Sequence, residues 1–375
     1  MTGQSDQIFG GQFTGRRVLV TGHSGFKGGW ISTWLNRLGA EVTGIALPPE
    51  PGPSFYQACA LDRTMDSRFA DIRDPAALAR ATEGLDAEVV FHMAAQPLVR
   101  KSYREPAETF ATNVQGTVNV LEAVRRMPSL KAVVVITSDK CYDNREWLWG
   151  YRENDPLGGK DPYSASKAAT ELVAQSYAHT FFSDTSGPQL STVRAGNVFG
   201  GGDWGEDRLI PDIIRAWHDG QPVTIRNPDS IRPWQHVLEP VAGYLLLAQK
   251  ILSDGQRFAG AWNFGPDVSG TVNVRDLADM MWRAWGAGAP GFRFPDESAT
   301  APHEAGILRL DSTKAQTRLG WRPRLELSQA IELTTDWYKA HAAGDDMGKV
   351  TQSQITVYQD LMSGTSCDQT ELAAQ

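Results

Sequence analysis

The chain has 375 residues, 41% of them hydrophobic and 21% charged, with a formal net charge of −8. This is the balance of a soluble globular protein with a large core, and its acidity disfavours general nucleic-acid binding. Three scattered cysteines without CxxC, seven histidines without a metal-ligand spacing, and no apolar run of about 18–20 residues speak against a disulfide framework, a metal site and a membrane span, and fit a reducing cytoplasm. Residues 1–15 are polar and read as a loose lead-in, not a secretory leader. Residues 17–21 (RVLVT) then read as a buried strand, a glycine-rich turn follows, residues 30–38 are apolar at helical spacing, and residues 41–47 form a second strand. The proline-rich stretch 48–57 is a loop.

The alternation continues with a third strand near 67–72, a fourth at 88–94 and a long amphipathic helix over 106–126. A strand at 132–137, a second long helix over 163–182 and a sixth strand at 189–194 complete it. Strands that read as apolar runs and alternate with helices imply a parallel, doubly wound α/β sheet of Rossmann type. After residue 196 Gly, Pro, Trp and Arg become frequent. The expected organisation is a dinucleotide-binding domain over 1–195, then a smaller substrate-binding lobe over 196–345 with segments returning to the sheet. A peripheral tail over 346–375 follows.

The turn after the first strand reads Gly22-His23-Ser24-Gly25-Phe26-Lys27-Gly28. In GxxGxxG the first glycine permits the tight turn, the second lets backbone approach a diphosphate, and the third lets helix pack on strand. Phe26 and Lys27 belong to the same cradle, and His23 lies near it by position. NAD is favoured over NADP, because no arginine at the end of the second strand is placed for a 2′-phosphate. The nearest acid there, Glu50, comes slightly late for a ribose hydroxyl. Asp71 and Ile72 close the third strand. The Asp71 carboxylate either holds an adenine amine or caps a helix from Pro75 onward.

Tyr163 and Lys167 form YxxxK, whose spacing puts both side chains on one helix face. An ammonium beside a phenol lowers its pKa, so the phenolate can serve as a base. Ser138-Asp139-Lys140 follows the fifth strand, at the sheet end where such folds bind substrate. A hydroxyl, a carboxyl and an amine exceed what alcohol oxidation needs. The additional acid–base pair suggests a second step, such as loss of water beside a carbonyl. A 4-epimerase, a plain dehydrogenase and a non-catalytic dinucleotide sensor are the competing readings.

At these residues the sequence resembles the extended short-chain dehydrogenase/reductase family and, within it, the enzymes that dehydrate CDP-glucose. The segments GHSGFKGGW, HMAAQPLVRKSY, the long run from Thr137 to Leu172, RAGNVFGGGDWGEDRLIPD and RPWQHVLEP carry it. The resemblance implies an NAD-dependent lyase acting on a nucleotide sugar, CDP-glucose, as a homodimer or homotetramer paired through the two long helices. It implies Tyr163 as base at the C4 hydroxyl, Lys167 on the nicotinamide ribose and Ser138 on the C4 oxygen. Asp139 becomes the acid at C6, and Lys140 the base at C5, its pKa lowered in an aromatic-lined site near Trp147, Trp149 and Tyr151. Ala94, Ala95, Gln96 and Asn113 are expected against the cofactor. Asn197, Arg208, Arg232, His236 and Arg309 are expected on the substrate side, with His236 alternatively a packed core histidine.

Overall fold

The computed structural model describes residues 5–225, 227–267, 270–294 and 308–364. Six strands, β1 (Arg17–Thr21), β2 (Glu41–Ala46), β3 (Asp66–Phe69), β4 (Val89–His92), β5 (Ala132–Ile136) and β6 (Gln189–Arg194), follow one another along the chain. A seventh, β7 (Gly260–Asn263), lies beyond residue 195 and runs beside β6. The spatial order is β7-β6-β5-β4-β1-β2-β3, every pair parallel. The order reverses direction at β1 and β4, where a doubly wound sheet opens a crevice at its carboxyl ends.

Both faces of the sheet are covered. Because side chains alternate along a strand, Val18, Val20, Val89, Phe91, Ala132 and Val134 enter one core, and Leu19, Val90, Val133 and Val135 enter the other. The first core takes Trp30 and Trp34 of helix α1 (Phe26–Arg37). The second takes Leu78 of α2 (Pro75–Thr82). The long helix expected over 106–126 is α3 (Pro106–Phe110) and α4 (Gly116–Val124), joined without a break by a π turn at Ala111–Gln115. Helix α5 (Pro162–Phe181) crosses beside it.

Beyond the sixth strand come α6 (Leu209–His218), α7 (Leu238–Asp254), α8 (Val274–Trp285), α9 (Leu327–Ala343) and α10 (Met347–Ser363). The expected peripheral tail departs from this picture over its described part. Met347, Thr351, Ile355 and Tyr358 recur at helical spacing and bury one stripe of α10. The Tyr358 ring packs edge-on against Trp34, and its hydroxyl donates to Glu239 Oε2 at 2.6 Å. Glu239 Oε1 accepts the backbone N–H groups of Arg324 and Leu325, so one buried carboxylate joins α7, the approach to α9 and α10. The polar surface of this helix hides the stripe from a composition-based reading. No helix among the described residues is long and apolar enough to cross a membrane.

Candidate active site

The glycine turn lies at the switch point of the sheet. Gly22 has φ +77°, and a Cβ there would come within 2.7 Å of the Ala94 backbone nitrogen. A Cβ on Gly28 would meet the Gly22 carbonyl oxygen at 2.0 Å. Backbone packing on both sides therefore excludes any side chain. Gly25 is the N-cap of α1 and supplies no side chain to the first turn, whose N–H groups have no intrahelical partners. Uncapped donors at a helix N-terminus behind a glycine turn fit a dinucleotide diphosphate. Thr21, which sequence reasoning passed over, ties this turn to the end of β4. Its Oγ1 accepts the N–H groups of Met93 and Ala94 and pairs with His92 Nδ1 at 2.7 Å. Its only local signal was a threonine at the strand end before the first glycine.

His23 turns away from this cradle. Its ring packs under Gly44 and beside Tyr56 and Phe69, and burial drives its pKa down to about 4. Asp71 does not cap the following helix. Asp74 does, accepting from the N–H groups of Ala76 and Ala77, while Asp71 is held by Arg73 at 2.6 Å. Ile72 is buried against Gly116. Past β2, Glu50 is exposed on the proline-rich loop.

Tyr163 and Lys167 stand on the first turns of α5, which Asp161 caps through the Ser164 N–H. Lys167 Nζ donates to the Ile136 carbonyl at 3.2 Å, against the end of β5. Burial pushes its pKa down to about 8, with the neighbouring Cys141 and Glu171 opposing. The Tyr163 phenol is pushed up to about 12, mostly by burial. The nearby Ser138 hydroxyl holds it lower, and the Asp139 charge raises it further. The cation that lowers it is Arg208, where a lysine was expected, and desolvation outweighs that lowering.

Ser138, Asp139 and Lys140 open a 3-10 turn directly after β5. The Ser138 hydroxyl donates to Asp139 Oδ1 at 2.9 Å and accepts the Lys140 backbone N–H at 3.2 Å. Asp139 Oδ2 is buried with no hydrogen-bond partner. The carboxylate lies over Gly196, where a Cβ would stand 1.8 Å from Oδ2. Gly196, unmarked in the sequence, is thus the seat of Asp139. Lys140 is half-buried.

Asn113 occupies the π turn, a feature often found at functional sites. Its Oδ1 accepts the Gln96 N–H at 2.7 Å, and its Nδ2 donates to the Gln96 carbonyl and to Ser166 Oγ. The side chain is spent fixing the strand end 94–96 to α5. Gln96 in turn points inward, donating to Thr109 Oγ1 and the Leu98 carbonyl. Ala94 and Ala95 are half-buried beside the glycine turn.

Lys27 projects from the first turn of α1. Burial lowers its pKa to about 8; the charges of Arg208 and Lys167 lower it further, and those of Asp139 and Asp203 oppose. Arg208 lies close enough to Tyr163 for their charges to interact, and it is gripped by Asp203 through both carboxylate oxygens at 2.8 and 2.9 Å. Asp203, also missed from sequence, is nearly buried. Asn197 adopts φ +47°, and its carbonyl accepts from the Gln235 N–H. Arg232 lies half-buried on the short strand Ile231–Pro233, paired with Thr271–Asn273. Arg309 Nε is buried without a partner, on a segment paired with Tyr151. His236 is a packed core histidine: its ring meets Trp30 and Phe199 edge-on, and burial lowers its pKa to about 3. The aromatic loop departs from expectation. Trp147 and Tyr151 stack, but Leu148 and Trp149 are 77% and 61% exposed and line no closed pocket.

Residues 18–265 match the model of the NAD dependent epimerase/dehydratase family. The chain is 49% identical over 356 residues to a CDP-glucose 4,6-dehydratase of Salmonella typhimurium, covering 94% of this chain and 98% of that protein. It is 29% identical to a dTDP-glucose 4,6-dehydratase of Streptomyces antibioticus, covering 87% and 93%. Among solved structures, a UDP-glucose 4-epimerase of Thermotoga maritima superimposes with a TM-score of 0.72 at 23% identity, covering 87% and 99%. A dTDP-glucose 4,6-dehydratase of Streptomyces venezuelae gives 0.72 at 24%, covering 88% and 99%. At these identities the structures establish the fold alone. Together with the glycine cradle and the Tyr163–Lys167 pair beside it, the family match and the 49% relative establish that the chain belongs to the NAD dependent epimerase/dehydratase family.

Proposed function

We propose that the chain dehydrates CDP-glucose to the 4-keto-6-deoxy sugar nucleotide, with NAD regenerated in each cycle. The observation that carries this reading is the Asp139 carboxylate, buried beside Ser138 with one oxygen unpaired. A 4-epimerase has no use for an acid there. Gly22, Gly25, Phe26, Lys27 and Gly28 would hold NAD, which would take the C4 hydride and give it back at C6. Tyr163 takes the C4 hydroxyl proton, Lys167 holds the ribose side of the site, and Ser138 hydrogen-bonds the C4 oxygen. The resulting ketone acidifies C5. Lys140 removes the C5 proton while Asp139 protonates the C6 oxygen, and the C6–O bond breaks with loss of water. Lys140 then returns its proton to C5. Arg208, Arg232 and Arg309 are suited to the substrate diphosphate, since a guanidinium bonds two oxygens at once. The exposed apolar residues Phe110 of α3 and Leu172 and Phe181 of α5 support pairing of these helices in a dimer.

The test uses CDP-glucose deuterated at C4 with catalytic NAD. Deuterium recovered at C6 of a 4-keto-6-deoxy product is the expected result. NADH accumulation, or label returned to C4, would replace this reading by a dehydrogenase or an epimerase.

A further inference from the structure

We propose that Gln235 is a positioning residue for Asp139: from the short strand Gln235–His236 it fixes the Gly196 peptide against which the carboxyl group rests. The inference rests on the reaction proposed above, in which Asp139 delivers a proton to the departing C6 oxygen. A general acid works only when its carboxyl is held at the atom it protonates, and a displacement of about 1 Å can cost about a hundredfold in rate. Hydrogen bonds hold Asp139 only weakly. Its Oδ1 takes the hydroxyl of Ser138, its own neighbour in the chain, and its Oδ2 has no partner. Contact supplies the rest. A Cβ on Gly196 would stand 1.8 Å from Oδ2, 2.1 Å from Cγ and 2.6 Å from Oδ1, so the glycine backbone is packed against the whole carboxyl group.

The sheet does not hold Gly196 in place. The ladder between β6 and β7 ends where Arg194 pairs with Asn263. Just beyond Gly196 the chain bends through Asn197 at φ +47°. Gly196 lies between the ladder and the bend, and Gln235 ties it down. Gln235 Nε2 donates to the Gly196 carbonyl at 3.2 Å and to the Phe264 carbonyl, directly after β7, at 2.9 Å. The Gln235 backbone N–H donates to the Asn197 carbonyl at 3.3 Å. One residue thus grips two successive carbonyls of the bend and anchors them to the end of the seventh strand. Both side-chain partners are carbonyl oxygens, which only accept, so the amide nitrogen has to face them. Packing alone does not account for a glutamine here. Gln235 is 3% exposed, and its Oε1 is buried with no partner. A buried amide oxygen left unpaired costs stability. What the residue supplies in return is the two bonds of its nitrogen, and one of them ends on the seat of the acid.

The experiment separates oxidation at C4 from loss of water, because Asp139 acts only in the second. Stopped-flow absorbance follows enzyme-bound NADH, and rapid quench follows the 4-keto-6-deoxy product, with saturating NAD and CDP-glucose. Wild type is compared with Asp139→Asn, Gln235→Met and Gly196→Ala. Gln235→Met keeps the length of the side chain and removes the donors, and Gly196→Ala pushes a methyl into the carboxyl group. Thermal unfolding and NAD titration by tryptophan fluorescence are run on each, so that a lost fold or a lost cofactor is not read as a misplaced acid. In Gln235→Met, NADH should form within about twofold of the wild-type rate, while product formation falls about 10- to 100-fold. NADH should therefore build up on the enzyme, as it should in Asp139→Asn, and Gly196→Ala should stall at the same point. If Gln235→Met slows oxidation and dehydration by the same factor, or turns over like wild type, Gln235 does not position Asp139 and the proposal falls. If Gln235→Met does not fold, Gly196→Ala decides: a wild-type rate of dehydration with a methyl against the carboxyl means that this seat does not aim the acid. A wild type that forms neither NADH nor product from CDP-glucose, or an Asp139→Asn that does not stall after oxidation, condemns the reading of the reaction instead.

Discussion

Two buried carboxylates lie within a few residues of each other's partners and are treated in opposite ways. Glu171 sits one turn beyond Lys167 on α5, fully buried with Arg194. Its Oε1 accepts from Thr137 Oγ1 and Arg194 Nε, and its Oε2 from Thr192 Oγ1 and Arg194 Nη2. Arg194 is completed by the Tyr142 hydroxyl and the Glu153 carbonyl. Asp139, reached from the neighbouring Ser138, has one donor on one oxygen and none on the other. The first carboxylate is finished by the protein and braces β5, β6 and α5. The second is left unfinished at the carboxyl end of the sheet, where a bound substrate can supply the missing partner.

Removing each charge separates the two regions. Asp139→Asn should lower kcat about a thousandfold, in the range of a lost general acid, while leaving the melting temperature unchanged or raised. Rate assays and thermal unfolding on one preparation check both halves. Glu171→Gln should do the reverse, costing about 3–5 kcal/mol because Arg194 keeps its buried charge without a counter-charge. Urea unfolding measures it, and a loss under about 1 kcal/mol would mean the layer is not a brace.

A third carboxylate refines the contrast. Glu239 is buried and bonded, yet burial raises its pKa to about 7 from 4.5. The folded state binds the extra proton between those values, so this stabilisation is complete below pH 4.5 and is lost as pH rises through 7. Relative to Glu239→Gln, wild type should lose up to about 3 kcal/mol between pH 5 and pH 8, visible as diverging melting curves. The smallest effect concerns a cation. Lys27→Met should weaken NAD binding about fivefold, and the deficit should shrink as salt is added, because the charge acts through partly screened space. Fluorescence titration at two ionic strengths reads it; an unchanged affinity would place Lys27 outside the cradle.

What the sequence displayed was local. The glycine turn, the YxxxK pair and the Ser138-Asp139-Lys140 run each depend on spacing within a few residues, and each stands where that spacing put it. Gly196 beneath Asp139, Asp203 on Arg208, Arg194 on Glu171 and Tyr358 on Glu239 join positions far apart in the chain, and no local pattern announces them. His23 shows the opposite failure: its place in the motif was right, but the empty space above Gly44 drew the ring into an aromatic cluster. Asn113 was recognisable by resemblance, whereas the π turn that aims it was not.

The seventh strand carries a consequence for synthesis. Strands β1 to β6 leave the ribosome in order, but β6 has its outer neighbour only when residues 260–263 have emerged. Until then a strand with every residue destined for burial shows a bare row of peptide groups to solvent. Such an edge recruits other chains. Pausing or truncation between β6 and β7 is therefore the interval in which this protein is most prone to aggregate, and the interval in which a chaperone has most to protect.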